Sequence, residues 1–167
     1  MSYKWPKLVS KPAGKQVVVL APHMDDEIIG CAGSILKHIA DGDEITVVYI
    51  TDSSKGLPGR FPEREMADRR RQESESVGEF IGVKNRIYLN IEDNTEEPWD
   101  AYTDLLADVL IDKEPELLYL PWYEDLHSDH QKTNKLFAKA IGGRVDFKVC
   151  AYEVWSPLKP RIRYHRG

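Results

Sequence analysis

Three short apolar runs constrain this chain more than any other feature. They are Val17-Val18-Val19-Leu20, Ile45 to Ile50 and Leu117-Leu118-Tyr119-Leu120. The first and third carry no polar alternation, and all three read as strands buried on both faces. Helical patterns separate them. From Ile28 the apolar positions Ile28, Ala32, Ile35, Leu36 and Ile39 follow a helical repeat, stopped by Asp41-Gly42-Asp43. Arg64 to Ile81 is charged and helix-prone, with Gly82 as its stop. Trp99 to Lys113 has an apolar face of Leu105, Leu106, Val109 and Leu110, and Pro115 ends it. A fourth helix opens at Asp129 or His130 and runs to about Ile141. Shorter strands are expected at 86–89 and 147–154. Strand–helix–strand order with short connections predicts right-handed βαβ units. The expected architecture is α/β: a single Rossmann-like, three-layer domain with a mostly parallel sheet and helices on both faces.

The domain is expected to span 16–157, between an irregular arm at 1–15 and a short basic tail at 158–167. A length of 167 residues suits one domain with a real core. A net charge of -5 without a long basic tract argues against nucleic-acid binding. No apolar run approaches the ~20 residues needed to span a bilayer. Residues 1–6 lack the apolar core of a signal peptide. With two cysteines there is no disulfide framework. A cytoplasmic location is the default expectation.

Two clusters follow strands. Ala21-Pro22-His23-Met24-Asp25-Asp26-Glu27 comes after the first apolar run, and Asp125-Leu126-His127-Ser128-Asp129-His130 comes after the third. In open α/β sheets, ligands bind at the carboxyl ends of strands. His23 and Asp26 are spaced to reach one cation, and His130 adds a second imidazole. Two imidazoles and one carboxylate form a catalytic zinc set, and iron(II) accepts the same donors. Asp25 is then a candidate general base. His127, as imidazolium, is a candidate oxyanion stabiliser or acid, and Asp129 a group that orients it. These parts amount to metal-assisted hydrolysis of an amide or ester.

The structural alternative is helix capping by Asp25, Asp26, Glu27 and Asp129. Capping does not require histidine, and both clusters combine His with Asp. His38 is expected on a helix surface and His165 in the tail. Cys31 and Cys150 read as inert thiols. Gly30 and Gly33 suit close packing on the sheet, but no G-x-G-x-x-G is present, which disfavours a dinucleotide site. Arg69-Arg70-Arg71 reads as a solvated helix face, or one arginine points into the site. Trp122 and Tyr123 read equally as core or as a platform for a sugar ring.

His23-Met24-Asp25-Asp26-Glu27 resembles the His-Pro-Asp-Asp-Glu motif of the LmbE-like (PIG-L) zinc-dependent de-N-acetylases. Residues 125–130 are similar to their second motif, His-x-Asp-His. Arg70-Arg71-Gln72-Glu73 with Ile81-Gly82-Val83 is similar to the family's Arg-x-x-Glu helix and its Leu-Gly-Val end, and Tyr152-Glu153-Val154-Trp155 to a late strand. The resemblance covers roughly 16–157. It implies that His23, Asp26 and His130 bind zinc and that Asp25 is the base. It makes His127 the stabiliser, helped by Asp129, and Arg70 a substrate contact. It further implies hydrolysis of an acetyl group from an N-acetylglucosamine conjugate by attack of zinc-bound water. Hydrolysis of another amide or ester, or a non-catalytic metal-binding role, are the competing readings. Met24 stands where the motif usually has proline, and Ser53 where the family commonly has glycine. The chain ends soon after Trp155, where family members continue. The expectation is a more open pocket, one completed by a neighbouring subunit of a homo-oligomer, or an incomplete one.

Overall fold

A computed structural model describes residues 11–143 and 145–155. The chain runs β1 (Gln16–Ala21), α1 (Asp26–Ala40), β2 (Glu44–Thr51), α2 (Glu63–Ile81) and β3 (Asn85–Ile91). A 3-10 turn (Trp99–Tyr102), α3 (Thr103–Lys113), β4 (Leu117–Pro121), α4 (Ser128–Ala140) and β5 (Lys148–Tyr152) follow. The strands form one sheet in the order β3-β2-β1-β4-β5, and each observed pairing is parallel. Strand β1 is central. The chain winds outward through β2 and β3, then returns to lay β4 on the other side of β1. The carboxyl ends of β1 and β4 therefore flank the point where strand order reverses, where such sheets bind ligands.

The unbroken apolar runs now have their reason. Val17, Val19 and Ala21 enter the core shared with Cys31 and Ile35 of α1. Val18 and Leu20 enter the core shared with Leu106 and Leu110 of α3 and Leu136 and Phe137 of α4. Ile81, at the end of α2, packs against the first of these cores. Both faces of β1 are covered from Val17 to Ala21, so those five positions are all apolar. The helix stops behave as expected: Gly82 closes α2 in the left-handed region at φ 91. Several boundaries move: α1 starts at Asp26 rather than Ile28, β3 reaches Ile91, the helix expected over 99–113 divides into a 3-10 turn and α3, α4 starts at Ser128, and the last strand is confined to Lys148–Tyr152.

His38 is a correction. It is buried, not a surface residue. Cys31, Ile35 and His38 recur at helical spacing on the buried stripe of α1. The ring satisfies both nitrogens there, with Asp43 Oδ2 2.8 Å from Nδ1 and the Tyr119 hydroxyl 3.0 Å from Nε2. Cys31 is buried, and burial pushes its thiol up to about 12, as an inert side chain requires. Cys150 is only partly buried. Residues 11–15 form no regular element. The rest of the arm at 1–10, the tail at 158–167 and His165 lie outside the described residues. No helix among the described residues is long and apolar enough to cross a membrane.

Candidate metal and catalytic site

The turn between β1 and α1 is tied down at its start. Both the Thr51 N–H and the Thr51 hydroxyl donate to the Pro22 carbonyl, at 2.9 and 2.8 Å. Its middle is held by the Asp26 carboxylate, which accepts the His23 backbone N–H at 2.8 Å. Met24 lies between the expected ligands, buried, and its N–H donates to Ser53 Oγ at 3.0 Å. The two departures from the family motif thus meet. A proline at 24 would bring no N–H, and a glycine at 53 would bring no acceptor. Ser53 holds φ 54, a left-handed conformation that glycine adopts more readily.

The two clusters converge. Asp26 Oδ2 lies 3.1 Å from His23 Nδ1 and 3.1 Å from His130 Nε2. The opposite nitrogen of His23 faces Asp93 Oδ1 at 3.3 Å and Asp129 Oδ2 at 3.4 Å. The opposite nitrogen of His130 lies 3.0 Å from Asp125 Oδ2. Each expected histidine ligand is therefore backed by carboxylate, an arrangement that orients an imidazole toward a metal. The His127 ring sits 4.8 Å from that of His23 and 5.1 Å from that of His130.

These donors fit a cation. Asp26, Asp93, Asp125 and Asp129 are all buried, which is costly without compensating positive charge. Both ring nitrogens of fully buried His130 lie against carboxylates, yet neither has a hydrogen-bond partner among the described residues. Asp129 Oδ1 also lacks a hydrogen-bond partner among them, its nearest cation being Lys132 Nζ at 3.8 Å. Charge balance in the metal-free chain falls on His23. Burial opposes its charged form, but Asp129, Asp26 and Asp93 outweigh burial and raise its pKa to about 11. Burial likewise opposes ionised Asp26, while His130 and His23 hold its pKa below the usual range. A bound cation can replace that proton.

The remaining groups divide clearly. Asp25 sits at the N-cap position of α1 but makes no capping hydrogen bond. Its carboxylate instead meets Arg70 Nη2 at 2.6 Å. Arg69 pairs with Glu65 and Arg71 with Asn90, both in exposed contacts. Of the three arginines, Arg70 enters the site. Glu27 turns away to accept the Tyr49 hydroxyl at 2.7 Å, buried. His127 Nδ1 accepts the Asp129 backbone N–H at 3.2 Å. With Nδ1 accepting, a neutral ring carries its proton on Nε2. Burial, and after it the neighbouring His23 and His130, lowers its pKa, which favours that neutral form in the metal-free protein. The Asp129 carboxylate was expected to orient His127. It contacts His23 and accepts the Asn94 N–H at 2.9 Å instead.

His23, Asp25, Arg70 and His127 open into a cleft of about 260 Å³. Asp93, which follows β3, joins them without having been singled out by pattern. An acidic pair at a third strand end is the signal that could have marked it. Trp122 and Tyr123 pack on each other at 4.5 Å and do not line this cleft; Trp155 does. Gly30 permits close packing, since a Cβ there would lie 2.2 Å from the Tyr152 ring. Gly33 meets nothing and needs no such explanation.

Residues 18–141 match the family model described as PIG-L: GlcNAc-PI de-N-acetylase. The chain is 33% identical over 133 residues to diacetylchitobiose deacetylase of Thermococcus kodakarensis, covering 76% of this chain and 49% of that protein. Among solved structures, N,N'-diacetylchitobiose deacetylase from Pyrococcus horikoshii is similar with a TM-score of 0.71 and 28% identity, covering 77% of this chain and 50% of that one. A 4-carboxy-2-hydroxymuconate hydratase from Pseudomonas putida shares the fold, with a TM-score of 0.69 at 24% identity, over 75% of this chain and 55% of that one. The chain spans about half the length of the deacetylases it matches.

Proposed function

The chain belongs to the PIG-L family of de-N-acetylases, and on that premise we propose that it is a zinc-dependent amide hydrolase. Its proposed reaction removes the acetyl group from an N-acetylated amino sugar. The observation that carries this reading is the convergence of His23, Asp26 and His130 beside a carboxylate, Asp25, that neither caps the helix nor joins the ligand set. His23, Asp26 and His130 would hold the ion. When bound, such an ion polarises the amide carbonyl and makes hydroxide available near neutral pH.

The chain's own groups supply the rest. Asp25 accepts a proton from the water that adds to the acetyl carbon, and Arg70 fixes the position of that carboxylate. His127 donates from Nε2 to the carbonyl oxygen as it gains negative charge, which a neutral imidazole can do. As the C–N bond breaks, Asp25 returns the proton to the departing amine. Acetate and a free amino sugar result. Asp129 and Asp93 hold His23, and Asp125 holds His130. The similarity to the diacetylchitobiose deacetylases of Thermococcus and Pyrococcus supports the substrate class.

The test is acetate release from a panel of N-acetylglucosamine conjugates, with zinc content measured on the same sample. Turnover should be lost in Asp25→Ala while zinc is retained. A zinc-loaded protein inert on the whole panel refutes the substrate, and activity on other amides or esters would replace it. Full activity in Asp25→Ala refutes the base.

A further inference from the structure

Apolar residues also line the catalytic cleft. Ile29, Val154 and Trp155 share it with Asp25, Arg70 and His127. Ile29 and Trp155 remain 62% and 59% exposed, so large apolar side chains stand in water beside the reacting groups. The backbone of Trp155 is anchored. Its N–H donates to Asp125 Oδ2 at 3.1 Å. The other oxygen of that carboxylate accepts the His127 N–H at 2.9 Å, and Oδ2 itself lies 3.0 Å from His130 Nδ1. One buried carboxylate therefore sets Trp155 in register with a metal ligand and with the proposed oxyanion donor. Just upstream, the Tyr152 hydroxyl donates to the Leu20 carbonyl at 2.7 Å, and its ring fills the space that Gly30 leaves. The strand leading to Trp155 is fixed from both sides.

A pyranose ring presents C–H groups on its faces and hydroxyls at its edge. An indole accepts such a face at little entropic cost, because the ring is rigid. With the acetamido group held between Asp25 and His127, the ring has to lie along the cleft wall. We infer that Trp155 is the stacking platform for the sugar ring and determines preference for ring-bearing amides over small acyclic ones. This inference rests on the proposed amino-sugar substrate.

The probe is N,N'-diacetylchitobiose, read in two ways. Calorimetry follows its binding to zinc-loaded protein carrying Asp25→Asn, which stops turnover. Steady-state kinetics follow its hydrolysis by protein with Asp25 intact. Trp155→Ala should weaken binding and raise KM by about tenfold or more, with kcat and zinc content nearly unchanged. Trp155→Phe should restore most of that loss. Equal affinity in Trp155→Ala and its parent overturns the inference, as does loss of zinc along with affinity, which would make Trp155 structural. Binding that depends on Trp155 without any hydrolysis in the Asp25 protein leaves the platform standing and refutes the reaction. A parent that does not bind the disaccharide at all overturns the platform.

Discussion

Ser53 offers a sharp test of how the ligand-bearing turn is held. It is buried, and its φ of 54 places an L-residue in the left-handed region, at a cost of about 1–2 kcal/mol. Its hydroxyl is the acceptor for the buried Met24 N–H at 3.0 Å. Leaving such a donor unsatisfied costs about 1–3 kcal/mol. Ser53→Ala keeps the strained backbone and loses the acceptor, so it should destabilise by that full ~1–3 kcal/mol. Ser53→Gly loses the acceptor but relieves the strain, and should recover about 1 kcal/mol relative to alanine. Met24→Pro removes the donor. On that background Ser53→Gly should be neutral or stabilising. The lost core packing of Met24 enters both arms of the cycle and cancels. Urea denaturation measures the free energies, and thermal melts should move by about 2–4 °C per kcal/mol in a chain of this size. Metal affinity should fall in Ser53→Ala as well, because Met24 lies in the turn that joins the expected ligands His23 and Asp26. A coupling energy below about 0.5 kcal/mol would show that the hydroxyl and the N–H are merely adjacent. Should Met24→Pro fail to fold, the alanine–glycine difference still decides: alanine as stable as glycine refutes the strain half of the reasoning.

Three further outcomes follow from the same contacts. Asp129→Asn should weaken zinc binding by about 10–100-fold in competition with a chromophoric chelator, because it removes charge from His23; unchanged affinity would leave Asp129 only a loop contact for Asn94. In the metal-free protein, burial raises Glu27 from 4.5 to about 7. A folded-state pKa above the unfolded value gives a contribution that is whole below pH 4.5 and lost as pH rises through 7, so stability should drop by up to about 3 kcal/mol between pH 5 and 8. Glu27→Gln should flatten that dependence in denaturant titrations while still accepting the Tyr49 hydroxyl; an unchanged slope would refute it. Gly30→Ala forces a Cβ within 2.2 Å of Tyr152 and should cost about 1–3 kcal/mol by the same titrations.

The sheet was legible because β1, β2 and β4 are covered on both faces, which leaves a near-continuous apolar signature. The two halves of the site were legible because each is contiguous and each follows one of those runs. What escaped was contact without local pattern. Asp93 reaches His23 from the end of β3, across the sheet, and the acidic pair Glu92-Asp93 there carries no histidine to set it apart from a solvated loop. Trp155 is directed into the cleft by a backbone hydrogen bond to Asp125, whereas the more conspicuous Trp122 and Tyr123 satisfy each other. His38 was legible in principle, since it shares the stripe of Cys31 and Ile35, but a lone histidine in a charged last turn looks solvated.

Asp129 shows why adjacency misleads. It lies two residues after His127, at the start of α4, and side chains two apart on a helix do not face each other. The Asp129 carboxylate therefore crosses to His23, 106 residues away, while only its backbone N–H serves His127. That division has a chemical consequence. A carboxylate on His127 would favour the imidazolium, whereas a backbone donor on Nδ1 leaves a neutral ring with its proton on Nε2. The negative charge is spent instead on the face of His23 opposite Asp26. The same logic decides the capping alternative for the first cluster. Asp26 does close the turn, through the His23 N–H, yet that oxygen also faces His130, which no cap requires. Asp25 occupies the capping position and does not cap; Arg70 holds it at the mouth of the cleft. Adjacent carboxylates in one turn thus have different partners because the backbone aims them differently, and the one left outside the ligand cluster is the one in position to carry a proton.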